Sequence, residues 1–233
     1  MSLLELDHVE KAYGRGPYRQ MILRDVTLEI ESGEIVAVWG LRRSGRSTLL
    51  RVAAGIESPD GGVVRFGGRD LSDRRYEVLG GEIAYCRKTF RASEGNVALD
   101  HLTVGQLARG VAPSLAASRA REALERVGAE ACAARRPNEL DCEESVRVAI
   151  ARALALEPKV LLIDEPTIGV DLLARDGILA VLRSLAEQGL AVMTTTGETT
   201  GLSGARALTL SEGELHGGTR RPLAPVVPLR RSA

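Results

Sequence analysis

The chain has 233 residues, 44 % hydrophobic and 27 % charged, with 31 basic and 31 acidic side chains. This size and mixture suit a soluble globular chain with one large domain, or a domain of two lobes, around a substantial core. Zero net charge and an aromatic content of 3 % leave no electrostatic drive toward nucleic acid and no platform for stacking bases.

The first residues, MSLLELDHVEKAYGRG, turn charged almost at once and read as no signal peptide. No apolar run reaches the ~20 residues of a membrane span, so work at a membrane would need another chain to supply one. Cys86, Cys132 and Cys142 are odd in number and form no Cys-x-x-Cys pair. That argues against a disulfide framework or a metal site and fits a reducing cytosol.

In chain order, LELDHV and VTLEI alternate apolar and polar residues, which predicts half-exposed strands of an antiparallel sheet. EIVAVWG is a continuous apolar run, predicted as a strand buried on both faces. It leads into the loop of Gly40, Gly45, Ser47 and Thr48, and STLLRVAAG then predicts a helix closed by Gly55. GGVVRFGG and EIAYCR predict further strands, and residues 102–134 have helical spacing. VRVAIARALALEP predicts a helix stopped near Pro158, and KVLLIDEP another buried strand. DLLARDGILAVLRSLAEQG predicts a helix with Leu173, Leu179, Leu182 and Leu185 near one face. LAVMTTT and ARALTL predict strands, SEGEL a tight turn, and residues 219–233 a Pro/Arg-rich flexible tail. Buried strands alternating with helices indicate an α/β fold with a mainly parallel sheet.

Two stretches carry chemistry. A glycine-rich turn between a buried strand and a helix offers backbone N–H groups at a positive helix end, which suits phosphate. Such a loop ordinarily ends in a lysine for the outer phosphates and a hydroxyl for Mg²⁺. Here Arg46 stands at the lysine position, followed by Ser47. Arginine keeps the charge but is longer and forked. A generic strand–turn–helix with surface arginines would share this spacing. The second stretch is VLLIDEP, a strand ending in Asp164 and Glu165. Beside a phosphate site the first carboxylate can hold Mg²⁺ and the second can polarise a water. Solvated acids at a strand end are the alternative, weakened because both stretches occur together and in order.

Residues 146–171, VRVAIARALALEPKVLLIDEPTIGVD, closely resemble the ATP-binding subunits of ABC transporters. The resemblance runs from about Leu3 to His216 and is nearest to subunits of the lipoprotein-release and macrolide-export type. It implies a P-loop NTPase core with an N-terminal antiparallel β part and a helical subdomain, the lobe spanning about residues 90–156 of a 1–218 domain. It also implies that Tyr13 stacks on adenine and that Gly40, Arg43, Gly45, Arg46, Ser47, Thr48 and Asp164 bind ATP. Ser47 and Asp164 would hold Mg²⁺, Glu165 would be the catalytic base and Asp171 the D-loop aspartate. The implied partners are transmembrane transporter subunits and a second ABC ATPase, or a second copy, paired head-to-tail. The implied location is the cytoplasmic face of a membrane.

The departures from the family pattern matter as much. Arg46 replaces the Walker A lysine, Arg43 an internal loop glycine, Lys88 the Q-loop glutamine and Thr196 the switch histidine. Losing one positioned polar or acid–base group typically costs ~10²–10⁴-fold in rate. In place of Leu-Ser-Gly-Gly-Gln the chain has Leu140-Asp141-Cys142-Glu143-Glu144. Asp141 and Glu144 have the spacing of a capping box. Like charges about 4 Å apart repel by ~4 kcal/mol at an effective dielectric of about 20, so these carboxylates would oppose closure over a triphosphate. The sequence therefore predicts an ATP-binding transporter subunit with weak or no hydrolysis of its own. The alternative is a non-enzymatic pseudo-ATPase serving as a docking or regulatory module.

Overall fold

The computed structural model describes residues 2–72, 81–87, 96–197 and 204–217. Lys88, the first residues of the predicted lobe and the Pro/Arg-rich tail lie outside them. Among the described residues ten strands form two sheets. Strands β1 (Leu4–Tyr13), β2 (Gln20–Ile30), β4 (Gly61–Phe66) and β5 (Arg69–Asp70) make an antiparallel sheet in the order β2-β1-β4-β5. The other sheet has the order β10-β9-β3-β8-β7-β6, from β3 (Ile35–Trp39), β6 (Ile83–Cys86), β7 (Val160–Ile163), β8 (Ala191–Thr196), β9 (Arg206–Ser211) and β10 (Glu214–His216). All its pairings are parallel except that of β10 with β9. The α/β architecture expected from the sequence is the one observed.

β1 and β2 continue beyond the stretches that alternate in sequence. The alternation in β1 breaks where the register shifts between Leu6 and Val9, and His8 there has φ +50°. One extra residue at a bulge moves Val9 onto the buried face already occupied by Leu4 and Leu6.

The central strands β3, β7 and β8 are buried on both faces, and their side chains alternate between two cores. Val36, Val38, Val160, Leu162 and Met193 pack with the antiparallel sheet and α1 (Arg46–Ala53). Ile35, Leu161, Ile163 and Val192 pack with α2 (Ala98–Leu107), α3 (Pro113–Arg126), α4 (Cys142–Leu154) and α5 (Leu172–Glu187). The period of two in a strand supplies both layers from one run of apolar residues. No helix among the described residues is long and apolar enough to cross a membrane.

One expectation for α5 is corrected. Its buried stripe is Ala174, Ile178, Leu182 and Leu185, whereas Leu173 is 86 % exposed. A helix turns about 100° per residue, so the step from 173 to 174 crosses the edge of the apolar face. Ile178→Ala is expected to cost about 2–5 kcal/mol in urea unfolding. Leu173→Ala is expected to change stability by less than ~0.5 kcal/mol. Similar losses for both would place Leu173 in the core after all.

Candidate nucleotide site

The loop between β3 and α1 has a shape that only certain residues permit. A Cβ on Gly40 would stand 2.4 Å from Ser44 Oγ and 2.7 Å from the Leu210 carbonyl oxygen. Gly45 has φ +102°, and its Cβ would stand 2.9 Å from Ile22. Glycine alone accepts both conditions without strain. Arg43 adopts φ +69°, a left-handed conformation that costs a non-glycine residue energy. Gly45 caps α1 without a side-chain hydrogen bond, and the first turn of α1 holds no acid. The N–H groups at this positive helix end are therefore not claimed by a side-chain cap, which fits a phosphate ligand.

The parallel order β3-β8-β7 brings the loop to the two strand-end acids. Ser47 Oγ donates to Asp164 Oδ2 at 2.6 Å, and Thr195 Oγ1 donates to Asp164 Oδ1 at 2.6 Å. The same Thr195 oxygen accepts from the Glu165 N–H at 3.0 Å. Asp164 is 6 % exposed, and both of its oxygens accept from positioned hydroxyls. Arg46 does not reach out along the loop. Its Nη2 donates to Glu165 Oε1 at 2.6 Å, with side-chain exposures of 9 % and 13 %. Arg46 Nη1 is buried without a hydrogen-bond partner. The backbone of Gly197, just beyond β8, lies over this pair, and a Cβ there would stand 3.6 Å from Arg46 Nη1 and 3.7 Å from Glu165 Oε1. Glu165 itself has φ +46°.

Tyr13, at the end of β1, is tied to α1. Its hydroxyl lies 3.4 Å from Thr48 Oγ1, accepts from Arg51 Nη2 at 3.1 Å and donates to Glu57. Thr48 is 6 % exposed and also accepts from Arg51 at 3.2 Å, so its hydroxyl serves this network. Burial would push the Glu57 carboxyl up, but hydrogen bonds from Tyr13 and Arg51 outweigh it and hold Glu57 below its usual range. Lys11 Nζ lies 5.8 Å from the centre of the Tyr13 ring, within cation–π reach.

The predicted capping box is present. Asp141 Oδ1 accepts from the Glu144 N–H at 2.8 Å, and Glu144 Oε2 accepts from the Asp141 N–H at 2.9 Å. Glu143 pairs with Arg147 at 2.7 Å, and Glu144 pairs with Arg135. Asp171 caps α5, its Oδ1 accepting from the Leu173 and Ala174 N–H groups at 3.0 Å each. Thr196 ends β8 in register with Trp39.

The structure thus gathers Gly40, Arg43, Gly45, Arg46, Ser47, Thr48, Asp164 and Glu165 at one end of the parallel sheet, with Tyr13 fastened to the same helix. Sequence reasoning missed Thr195, Arg51 and Glu57. The one available signal for Thr195 was a run of three threonines ending a buried strand.

A phosphate-binding loop beside a strand that ends in two carboxylates, flanked by an antiparallel sheet and helices, defines a P-loop nucleotide-binding cassette. The family profile described as ABC transporter matches residues 23–168. The chain belongs to the ABC transporter family, as one of its ATP-binding subunits. It is 38 % identical over 225 residues to the lipoprotein-releasing system ATP-binding protein LolD of Myxococcus xanthus, covering 92 % of this chain and 99 % of that protein. It is 33 % identical over 219 residues to LolD of Chromohalobacter salexigens, covering 91 % and 92 %. Among solved structures it is similar to the dimeric ATP-binding cassette MJ0796 bound to ADP and Pi. There the TM-score is 0.83 and the identity 27 %, over 93 % of this chain and 98 % of that one. ATP with Mg²⁺ is the family's ligand, and the unclaimed helix end of α1 beside the hydroxyl–carboxylate pair of Ser47 and Asp164 fits it.

Proposed function

We propose that this chain is a transporter ATP-binding subunit that holds Mg-ATP but turns it over weakly by itself. The observation that carries this reading is the ion pair between Arg46 and Glu165, 2.6 Å long and almost fully buried. The residue that would grip the outer phosphates is engaged with the residue that would activate water. A carboxylate that accepts a charge-assisted hydrogen bond from a guanidinium is a poorer proton acceptor. Arg46 Nη2 can serve a phosphate, and Glu165 Oε1 a water, only when this contact breaks, whereas Arg46 Nη1 has no partner to give up.

Each other residue has a role in this reading. The α1 N–H groups and Arg43 bind the phosphates. Ser47 and Asp164 hold Mg²⁺, with Thr195 fixing the Asp164 carboxylate. Tyr13 offers its ring to the base, and Thr48 and Arg51 hold that ring in place. When bound, Mg²⁺ supplies neutralising charge at the phosphates. The capping box at the start of α4 sets the Asp141 carboxylate on the Glu144 N–H, where its charge opposes a nucleotide held by a neighbouring subunit. The proposed partners are transmembrane subunits that place the chain at the cytoplasmic face of a membrane. A second ATPase, or a second copy, would complete the assembly. Identities of 33 % and 38 % to LolD proteins support a place with subunits of the lipoprotein-release type.

The test combines calorimetric titration with Mg-ATP and steady-state hydrolysis by the purified chain. Micromolar binding with turnover below ~1 s⁻¹, the low end for enzymes, is the expected result. Turnover of several per second would overturn the weak-hydrolysis reading. No binding at millimolar ATP would leave the pseudo-ATPase reading in its place.

A further inference from the structure

The C-terminal end of α1 turns the chain back on itself. Gly55 has φ +68°, and the N–H groups of Ile56 and Glu57 both donate to the Arg51 carbonyl, at 2.9 and 3.2 Å. The Arg51 side chain takes the other end of the same glutamate, its Nε donating to Glu57 Oε1 at 2.5 Å. One arginine therefore holds Glu57 by both backbone and carboxylate. The second carboxylate oxygen, Oε2, accepts from the Tyr13 hydroxyl. Arg51 Nη2 closes the triangle by donating to that hydroxyl at 3.1 Å, and it also reaches Thr48 Oγ1 at 3.2 Å.

The backbone beneath Tyr13 is anchored separately. The Ala12 N–H donates to Asp60 Oδ2 at 2.7 Å, the Asp60 N–H to the Glu10 carbonyl at 2.8 Å, and Lys11 Nζ to the Ser58 carbonyl at 2.7 Å. These bonds fix the end of β1 without using the Glu57 carboxylate. They do not fix the Tyr13 side chain, which can still choose among its rotamers. What sets the direction of the ring is its far end, where the hydroxyl meets Glu57, Arg51 and Thr48. The residue is 39 % exposed, so the ring has surface to offer a base, and stacking depends on how that ring is oriented.

We propose that Glu57 is a positioning residue for the nucleotide base: its carboxylate pins the Tyr13 hydroxyl, directly and through Arg51, so that the ring stands in its stacking orientation before a nucleotide arrives. This rests on the proposed function, in which the Tyr13 ring meets the base. A ring ordered in advance spares the ligand the cost of ordering it. Because Glu57 acts through Tyr13, its contribution belongs to the base and not to the phosphates.

Calorimetric titration of the full chain with Mg-ATP and, separately, with Mg-tripolyphosphate, which has phosphates but no base, reads the two halves of the ligand apart. Tyr13→Ala should weaken ATP by about tenfold or more, the size of one base–aromatic stack. Glu57→Ala should weaken ATP by about threefold to tenfold, the cost of ordering one side chain, and should bind tripolyphosphate as the wild type does. Tyr13→Phe, which keeps the ring and loses only the hydroxyl, should match Glu57→Ala. Glu57→Gln should recover part of the loss, since its amide oxygen still accepts from the tyrosine. In the Tyr13→Ala background, Glu57→Ala should have no further effect. The proposal is overturned if Glu57→Ala binds ATP as tightly as the wild type. It is also overturned if that change weakens tripolyphosphate equally, or still weakens ATP when Tyr13 is already alanine, because Glu57 would then be a structural support of α1. If Tyr13→Ala itself loses no ATP affinity, the role proposed for the ring falls together with that of Glu57. A wild type that does not bind ATP at all overturns the proposed function as well.

Discussion

Replacing Arg46 by alanine is expected to destabilise the fold by about 3 kcal/mol in urea unfolding without nucleotide. The size of the effect follows from burial. Arg46 and Glu165 are 9 % and 13 % exposed and 2.6 Å apart. Removing one partner leaves the other as an uncompensated charge in a poorly solvated place, which typically costs about 3–5 kcal/mol. Removing both should cost less than the two single changes added together. For Arg46→Met combined with Glu165→Leu, a coupling of about 2 kcal/mol is expected between neighbours in one ion pair. If the losses add within ~0.5 kcal/mol, the pair is not the internal lock described above. Glu165→Gln is the milder companion, since an amide oxygen still accepts from Arg46 without carrying a charge.

The second large effect concerns Asp164. Its oxygens accept from Ser47 and Thr195 at 2.6 Å each. Asp164→Asn nearly preserves shape but removes the charge and substitutes a donor for one acceptor. Calorimetry with Mg²⁺ and with a chelator should show the wild type binding ATP more tightly with the metal. In the variant the difference should vanish, a loss of about 10–100-fold by analogy with disturbed metal shells. A variant that still gains affinity from Mg²⁺ would mean that Asp164 does not hold the metal. Thr195→Val provides the graded case, because it removes only the hydroxyl that fixes Asp164 and spans the N–H of Glu165.

The parts of the site that were legible in the sequence are those written in consecutive residues. The apolar run before Gly40, the run before Asp164 and the three-residue spacing of Asp141 and Glu144 each report a local structure. Each was found where expected. The parts that were not legible depend on which strands are neighbours. Nothing in LAVMTTT says that β8 lies between β3 and β7, and only that order puts Thr195 against Asp164. The partner of Arg46 was equally hidden, since 119 residues separate it from Glu165. An arginine read in isolation looks like a phosphate ligand. Seen beside a carboxylate it is also a clamp. Leu173 shows the remaining difficulty, because a leucine one position off the apolar stripe counts as hydrophobic in any pattern yet lies in solvent.

The start of α4 has a wider consequence. There the Asp141 carboxylate takes the Glu144 N–H, Glu144 takes the Asp141 N–H, and Arg135 and Arg147 balance the neighbouring acids. In an assembly with an unlike cassette, the proposed reading makes the chain host more than guest, sheltering a nucleotide in its own bed while giving its neighbour less cover than it receives. The two halves of the pair would then be unequal in kind, and which of them fires would be decided by the partner that still has both parts.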